Sequence, residues 1–214
     1  MAIVKVIPVG MIDENTVIVA DEETKEAIII DPGAEGKKLE NHLKDFKLKA
    51  IVNTHGHIDH VGQVGYIKKV FDVPFYLNKK DEFLLNNELF PGFANAIGAY
   101  PCPEPDFDLK EGDKIKVGNL EFTIIETPGH TPGSICIYEP NEKLLIAGDT
   151  LFRGSVGRTD LPGGDANQLQ SSLKKLMELP DDTRVICGHY SDTTIGYERE
   201  NNPYITGKHR IQLW

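Results

Sequence analysis

The sequence predicts an α/β fold, and three observations carry the prediction. The first third alternates short β-branched runs with helical periodicity, as strand–helix–strand units over a buried, partly parallel sheet require. From residue 113 onward, four strand-like runs follow one another with turn signals between them, the pattern of antiparallel hairpins. Hydrophobic residues are 40% of the 214 and charged residues 26%, the balance of a soluble globular chain able to bury a real core.

Residues 2–7, 16–20 and 27–30 are β-branched runs, the last ending in the turn signal Asp31-Pro32-Gly33. In GKKLENHLKDF, Leu39, Leu43 and Phe46 recur at i, i+4 and i+7, which makes one face of a helix. Residues 49–53 read as a strand that runs into THGHIDH. Val64, Ile67 and Phe71 mark a second helix, and VPFYL the next strand. KKDEFLLNNELF predicts a helix. Residues 91–105 hold four prolines and predict either a surface connection or a substrate-facing lid. DKIKVG, LEFTIIETP, SICIYEP and KLLIAGD are the consecutive strands. A helix follows with Leu169, Leu173, Leu176 and Met177 on one face, then the strand RVICG, then a short polar helix over 192–201. There is no sequence repeat, low-complexity tract or convincing linker, so residues 1–214 are expected to form a single domain.

The chain has 23 Lys and Arg against 33 Asp and Glu, a formal net charge of -10. Nucleic-acid binders displace counterions with a basic surface, so no nucleic-acid partner is expected. Docking on an anionic membrane is disfavoured for the same reason, and no run approaches 18 apolar residues. Small acidic substrates are not excluded, because a local cationic site can hold them. Cys102, Cys136 and Cys187 are odd in number, widely spaced and without a Cys-x-x-Cys, so buried thiols in a reducing cytosol are expected. The N-terminus lacks a signal peptide's apolar region, and a cytoplasmic location follows as the expectation.

The chemistry is concentrated in the histidines. His55, His57 and His60 fall within six residues, with Asp59 among them, just after an apolar strand. Imidazole and carboxylate side chains leaving one short loop suit zinc, iron or manganese. His130 lies in Thr127-Pro128-Gly129-His130-Thr131-Pro132-Gly133, Asp149 in Gly148-Asp149-Thr150, and His189 after Gly188. Each stands at the end of a predicted buried strand, where a cleft can form beside a sheet. Seven candidate ligands are too many for one tetrahedral ion, whereas two ions with a bridging carboxylate would use them all. His42 and His209 lack such surroundings and read as surface residues.

The order HxHxDH, Pro-Gly-His-Thr-Pro-Gly, Gly-Asp-Thr, Gly-His resembles the metallo-β-lactamase superfamily, and within it the short glyoxalase II-like, or hydroxyacylglutathione hydrolase-like, group. The similarity runs from about Val4 to Tyr204 and includes Gly157-Arg158-Thr159-Asp160 and Thr194-Ile195-Gly196-Tyr197-Glu198-Arg199. It implies an αββα sandwich, two mixed β-sheets flanked by helices. It also implies two divalent metal ions, zinc foremost, with iron or manganese as alternatives. His55, His57 and His130 would hold the first ion, Asp59, His60 and His189 the second, and Asp149 would bridge them. Asp31 would support the site from behind. The implied reaction is attack of a metal-held hydroxide on a thioester carbonyl, with S-D-lactoylglutathione or a related hydroxyacyl thioester as the implied substrate and Asp59 and Asp149 as the catalytic carboxylates.

The chain departs from the pattern in places. Glutathione-specific relatives carry a C-terminal helical domain, and here only 25 residues follow His189. They have a basic residue and then a tyrosine that touch the peptide; here Arg158 is followed by Asp160. Tyr190-Ser191 replaces the Gly-Pro that commonly follows the last histidine, so Arg158 and Tyr190 are the candidate substrate contacts. Two alternatives stay open: a persulfide dioxygenase of the same fold, using one iron on His55, His130 and Asp149, and a lactonase. Oligomeric state is not legible in the sequence.

Overall fold

The structure is a computed structural model that describes residues 1–85 and 92–211. β1 (Ala2–Val9), β2 (Glu14–Asp21) and β3 (Glu26–Ile30) form an antiparallel meander. α1 (Gly36–Leu43) leads to β4 (Lys47–Val52), parallel to β3. α2 (Ile58–Val61) and α3 (Val64–Phe71) lead to β5 (Phe75–Leu77), parallel to β4. After the short α4 (Phe93–Ala96), β6 (Phe107–Asp108) completes this mixed sheet in the order β1-β2-β3-β4-β5-β6.

The second half builds a second mixed sheet. β7 (Lys114–Val117), β8 (Leu120–Glu126), β9 (Ile135–Glu139) and β10 (Leu144–Gly148) are antiparallel neighbours. A small hairpin, β11 (Leu151–Phe152) and β12 (Ser155–Val156), precedes α5 (Ala166–Leu176). The chain then returns as β13 (Arg184–Cys187), parallel to β10, followed by β14 (Thr193–Thr194) and α6 (Ile195–Asn201).

The strand period of two decides which layer each side chain joins. In β2 and β3, Val17, Val19, Ile28 and Ile30 point between the sheets and meet Phe122, Ile124, Ile137 and Ile186. Their neighbours Ile18, Ala20, Ala27 and Ile29 point the other way, onto Leu39 and Leu43 of α1 and Val64 and Ile67 of α3. On the far side, Leu169, Leu173 and Leu176 of α5 pack on Leu145, Val185 and Cys187. The layers are therefore α, β, β, α, and strands buried on both faces read as continuous apolar runs for that reason. Truncating one such side chain, Ile18→Ala for example, is expected to cost about 2–5 kcal/mol.

Several boundaries differ from the sequence prediction. α1 ends at Leu43, and Phe46 packs from the following turn, under Lys5 Nζ at 4.6 Å from its ring. KKDEFLL forms a single 3₁₀ turn, Lys79–Leu84, because Asn78 caps it by accepting from Lys80 N at 3.0 Å; residues 86–91 lie outside the described residues. Within 91–105, Phe93–Ala96 is helical. α2 and the β11–β12 hairpin were not predictable, since elements of two to four residues carry no periodicity. All three cysteines are buried thiols, and among the described residues no helix is long and apolar enough to cross a membrane.

Candidate metal centre

The centre forms where the C-terminal ends of β3, β4, β8, β10 and β13 meet, in keeping with their parallel directions within each sheet. β4 delivers His55. His57 is the extended residue before α2, with φ -67° and ψ 146°, and α2 turns Asp59 and His60 into the same space. The turn after β8 supplies His130, the end of β10 Asp149 and the end of β13 His189. Gly129 has φ 138°, and a Cβ there would lie 2.2 Å from Leu169 N, so only glycine allows the turn to pass α5. The two sheets are clasped beside the site: Asn15 N donates to Gly188 O at 2.7 Å, and Ile135 N to Thr54 O at 2.9 Å.

Two donor sets result. His55, His57 and His130 form one and Asp59, His60 and His189 the other, the ligand atoms within each lying no more than 4.8 Å apart. Asp149 stands between them. Its Oδ2 is 3.6 Å from His130 Nε2 and 3.7 Å from His189 Nε2, and its Oδ1 is 3.4 Å from His60 Nε2. Asp59 Oδ2 is 3.5 Å from His60 Nε2 and 3.4 Å from His189 Nε2. His57 Nδ1 is 3.1 Å from His55 Nε2 and 3.0 Å from His130 Nε2.

The partners of the outward ring nitrogens fix the tautomers. His130 Nδ1 and His189 Nδ1 face carbonyls, Arg158 O at 2.8 Å and Ile12 O at 3.1 Å, so both carry hydrogen there. His60 Nδ1 donates to Asp31 Oδ2 at 3.0 Å. Thr54 Oγ1 gives its proton to Asp31 Oδ2 at 2.5 Å, so it accepts from His55 Nδ1 at 3.1 Å. Four Nε2 atoms therefore turn toward the centre. His60 Nε2 and Asp149 Oδ1 are buried with no hydrogen-bond partner among the described residues. Buried donors and acceptors left this way are costly, and a cation is the group this donor set would satisfy.

The charges follow from the packing. Burial, then the neighbouring His60, His57 and His130, hold His55 well below the ordinary histidine range. Burial and His130 lower His57 to about 3. Burial also opposes the charged form of His60, but Asp149 and Asp59 outweigh it and hold His60 well above the ordinary value. His189 is raised as well: against burial, Asp59 and Asp149 prevail. For Asp59 and Asp149 burial works upward, yet the histidines, His60 first, keep both carboxyls below the ordinary range. His55 and His57 of the first set are thus held toward the neutral form, while His60, His189, Asp59 and Asp149 favour an ionised network.

Asp31 lies within reach of His55 and His60, but it is already occupied. It accepts from Thr54 N at 2.7 Å, Thr54 Oγ1, Asn53 Nδ2 at 3.1 Å and His60 Nδ1, so it braces the candidate donor His60 from behind. Three further supports carry no signal in the sequence. Asp81 Oδ2 accepts from Gly56 N at 3.0 Å and Thr131 Oγ1 at 2.6 Å, and its Oδ1 accepts from Gly133 N at 2.6 Å, tying the His55–His57 loop to the His130 turn. Asn15 Nδ2 donates to Cys187 O at 3.0 Å and Tyr190 O at 2.9 Å, bracing the His189 loop. Glu14 is buried with Oε1 3.7 Å from His60 Nδ1, and burial raises its pKa well above the usual value.

The donors open on a cleft of about 660 Å³ whose walls include Ile12, Phe152, Arg158, Leu161 and Tyr190. Both candidate substrate contacts therefore line it. Arg158 is bound bidentately by Asp160, Nε to Oδ1 and Nη2 to Oδ2 at 2.6 Å each. Of the remaining histidines, His209 is exposed and His42 half-buried on α1, both away from the centre.

Against known proteins, the model of the metallo-beta-lactamase superfamily matches residues 10–189. The chain is 40% identical to the hydroxyacylglutathione hydrolase GloC of Haemophilus influenzae, over 96% of this chain and 99% of that one. It superposes on the crystal structure of the BLEG-1 B3 metallo-beta-lactamase with a TM-score of 0.86 at 38% identity, covering 96% of this chain and 100% of the other. The crystal structure of TTHA1623 in a di-iron-bound form gives a TM-score of 0.84 at 37% identity, covering 94% and 99%.

Proposed function

Because the chain belongs to the metallo-β-lactamase superfamily, we propose that it is a binuclear metallohydrolase of thioesters, with S-D-lactoylglutathione or a related hydroxyacyl thioester as substrate. The observation that carries the reading is the shared Asp149: two donor sets, each of three side chains, face one carboxylate across less than 4 Å. His55, His57 and His130 would hold one cation, Asp59, His60 and His189 the other, and Asp149 both. Bound there, two divalent cations supply Lewis acidity toward a carbonyl and lower the pKa of water toward neutrality. Zinc suits the donors best, and the di-iron form of a relative supports iron as well.

The reaction adds one water across the thioester: the acyl carbon gains an oxygen, the C–S bond breaks, and an acid and a thiol leave. Asp59, partly open to the cleft, presents Oδ2 as an ionised acceptor that orients the attacking water. Asp149 and Asp31 hold the imidazoles in register around it. Arg158, beside His130, is the basic side chain that can meet a carboxylate of the thiol carrier. No side-chain nucleophile is required. Burial pushes the thiols of Cys187 to about 12 and Cys136 to about 11, and both point into the α5 layer. The name of the relative at 40% identity supports the substrate, and the buried thiols support a reducing, cytoplasmic setting.

The competing reading is a mononuclear iron persulfide dioxygenase, because His55, His130 and Asp149 make a two-histidine, one-carboxylate set. Metal quantification on the purified protein, paired with assays of S-D-lactoylglutathione hydrolysis and oxygen uptake with a glutathione persulfide, separates them. Two metals per chain with thioester cleavage are expected. One iron with oxygen uptake would refute the hydrolase. His57→Ala should abolish cleavage with the fold intact, and full activity in that variant would overturn the assigned site.

A further inference from the structure

The cleft has two unlike ends. On the His189 side stand Ile12, Phe152 and Tyr190, with ring centroids 6.0 Å apart for Phe152 and Tyr190 and 6.3 Å for Phe152 and His189. On the His130 side stands Arg158, the one lysine or arginine among the described lining residues, already paired with Asp160.

Tyr190 is the informative residue. Its φ is 64°, in the left-handed region that a bulky aromatic residue avoids and glycine enters freely. The strain is held in place by Asn15, whose side chain grips the carbonyls on either side of His189. Yet the ring does not repay the strain by packing, since it is 79% exposed. Ile12, on the turn opposite, is 47% exposed. Such strain persists where the surroundings impose it and clusters at sites of function. A rim of exposed apolar groups beside a polar centre marks a binding surface.

Resting on the hydrolase reading, we infer that Ile12, Phe152 and Tyr190 form the acyl-group pocket, and that the preferred substrate carries a bulky apolar acyl substituent, aromatic or branched, rather than the methyl of lactoyl. The assignment to the acyl side follows from charge. Among the described lining residues Arg158 is the one lysine or arginine that a carrier thiol's carboxylate can meet, and placing a carboxylate against the apolar rim would strip its water without a partner. The reacting carbonyl lies between, over Asp149, so the acyl substituent falls on the His189 side. Tyr190 is then a specificity-determining residue, stacking edge or face on the substituent.

The test compares S-mandeloylglutathione with S-D-lactoylglutathione, which share a carrier and differ by phenyl for methyl. For the wild type, kcat/KM should favour the mandeloyl ester about tenfold or more, the factor that one aromatic contact supplies. Tyr190→Gly and Phe152→Ala should each cut the mandeloyl-to-lactoyl ratio about tenfold. Tyr190→Gly should do so with an equal or higher Tm, because glycine relieves the strained φ; a purely structural tyrosine would instead lower Tm. Calorimetry with the product acids reads the rim without turnover: mandelate should bind the metal-loaded protein more tightly than lactate, and Tyr190→Gly should erase the difference. A wild-type preference for lactoyl, or a ratio untouched in both variants, overturns the acyl pocket and leaves the hydrolase standing. If neither thioester is cleaved by protein carrying two metals, the hydrolase reading fails, and equal binding of the two acids would then remove the pocket too.

Discussion

Asp81 offers the sharpest test of how the fold builds the centre. It sits on the 3₁₀ turn, fully buried, 25 residues from Gly56 and 52 from Gly133, and holds both. Asp81→Ala strands two buried N–H groups, while Thr131 keeps Ser134 Oγ at 2.7 Å. Each stranded donor costs about 1–3 kcal/mol, and losing a buried carboxylate returns part of that, so a net loss of about 2–4 kcal/mol is expected. The damage should be uneven. Asp81 holds Gly56, the link between His55 and His57, and the turn after His130; Asp59 and His60 follow on α2 and His189 lies beyond β13, and none of these three is bonded to it. The first cation should therefore weaken about 10–100-fold, as when the residues supporting a ligand are removed, and the second much less. Urea unfolding of metal-free protein gives the stability, and chelator competition gives the two affinities. Asp81→Asn adds a pH signature. Burial raises the Asp81 pKa although Thr131, Gly133 and Gly56 lower it, so the folded state favours the proton. That contribution is complete below the ordinary carboxylate value and is lost as pH rises through the raised one. The stability gap between wild type and Asp81→Asn should accordingly narrow with rising pH. Equal weakening of both cations, or none, would refute the reasoning.

Other predictions follow from the same geometry. In metal-free protein His60 and His189 are held above the ordinary value and His57 is held at about 3. Loading the second set must displace protons, so its affinity should fall as pH drops below neutrality while the first changes less; calorimetry in buffers of different ionisation heat counts the protons. Asp31→Asn replaces the carboxyl group that accepts from His60 Nδ1 and should weaken the second cation about tenfold or more, measured by chelator competition. Gly129→Ala forces a Cβ onto the α5 backbone at φ 138° and should cost about 3 kcal/mol or more, read as a fall in Tm.

What the sequence revealed and what it hid have physical causes. The candidate donors were legible because each sits at a strand end and their residue types are rare together: His55 to His60 in one loop, His130 between two Pro-Gly pairs, Asp149 and His189 after apolar runs. The layers were legible because β2, β3 and β10 are buried on both faces and so carry unbroken apolar runs. The supports were hidden. Asn15 reaches Cys187 across 172 residues, and Asp81 reaches Gly133 across 52, and an isolated Asn or Asp carries no periodic signal. The strain at Tyr190 was equally invisible, since it belongs to the backbone that Asn15 fixes and not to the residue. KKDEFLL misled for a related reason. Its apolar spacing suits an α-helix, but Asp81 turns inward to serve three donors, and a 3₁₀ turn places it there.

The electrostatics of the centre tie these strands together. The chain is acidic, at a formal net charge of -10, and Asp59 and Asp149 are ionised inside it. Uncompensated, two buried carboxylates would be untenable. Raised His60 and His189 supply the compensating charge in the metal-free protein, so protons stand where a cation would. The second set is therefore compensated without metal, and on the proposed binuclear reading metal and proton would compete for one network. The first set is different: His55 and His57 are neutral and their lone pairs are aimed by Thr54 and by the loop that Asp81 holds. It is poised for a cation at neutral pH with no proton to displace from those two rings. Loading should thus proceed from the first set to the second as pH rises, and the unequal order is a consequence of which histidines face Asp59 and Asp149.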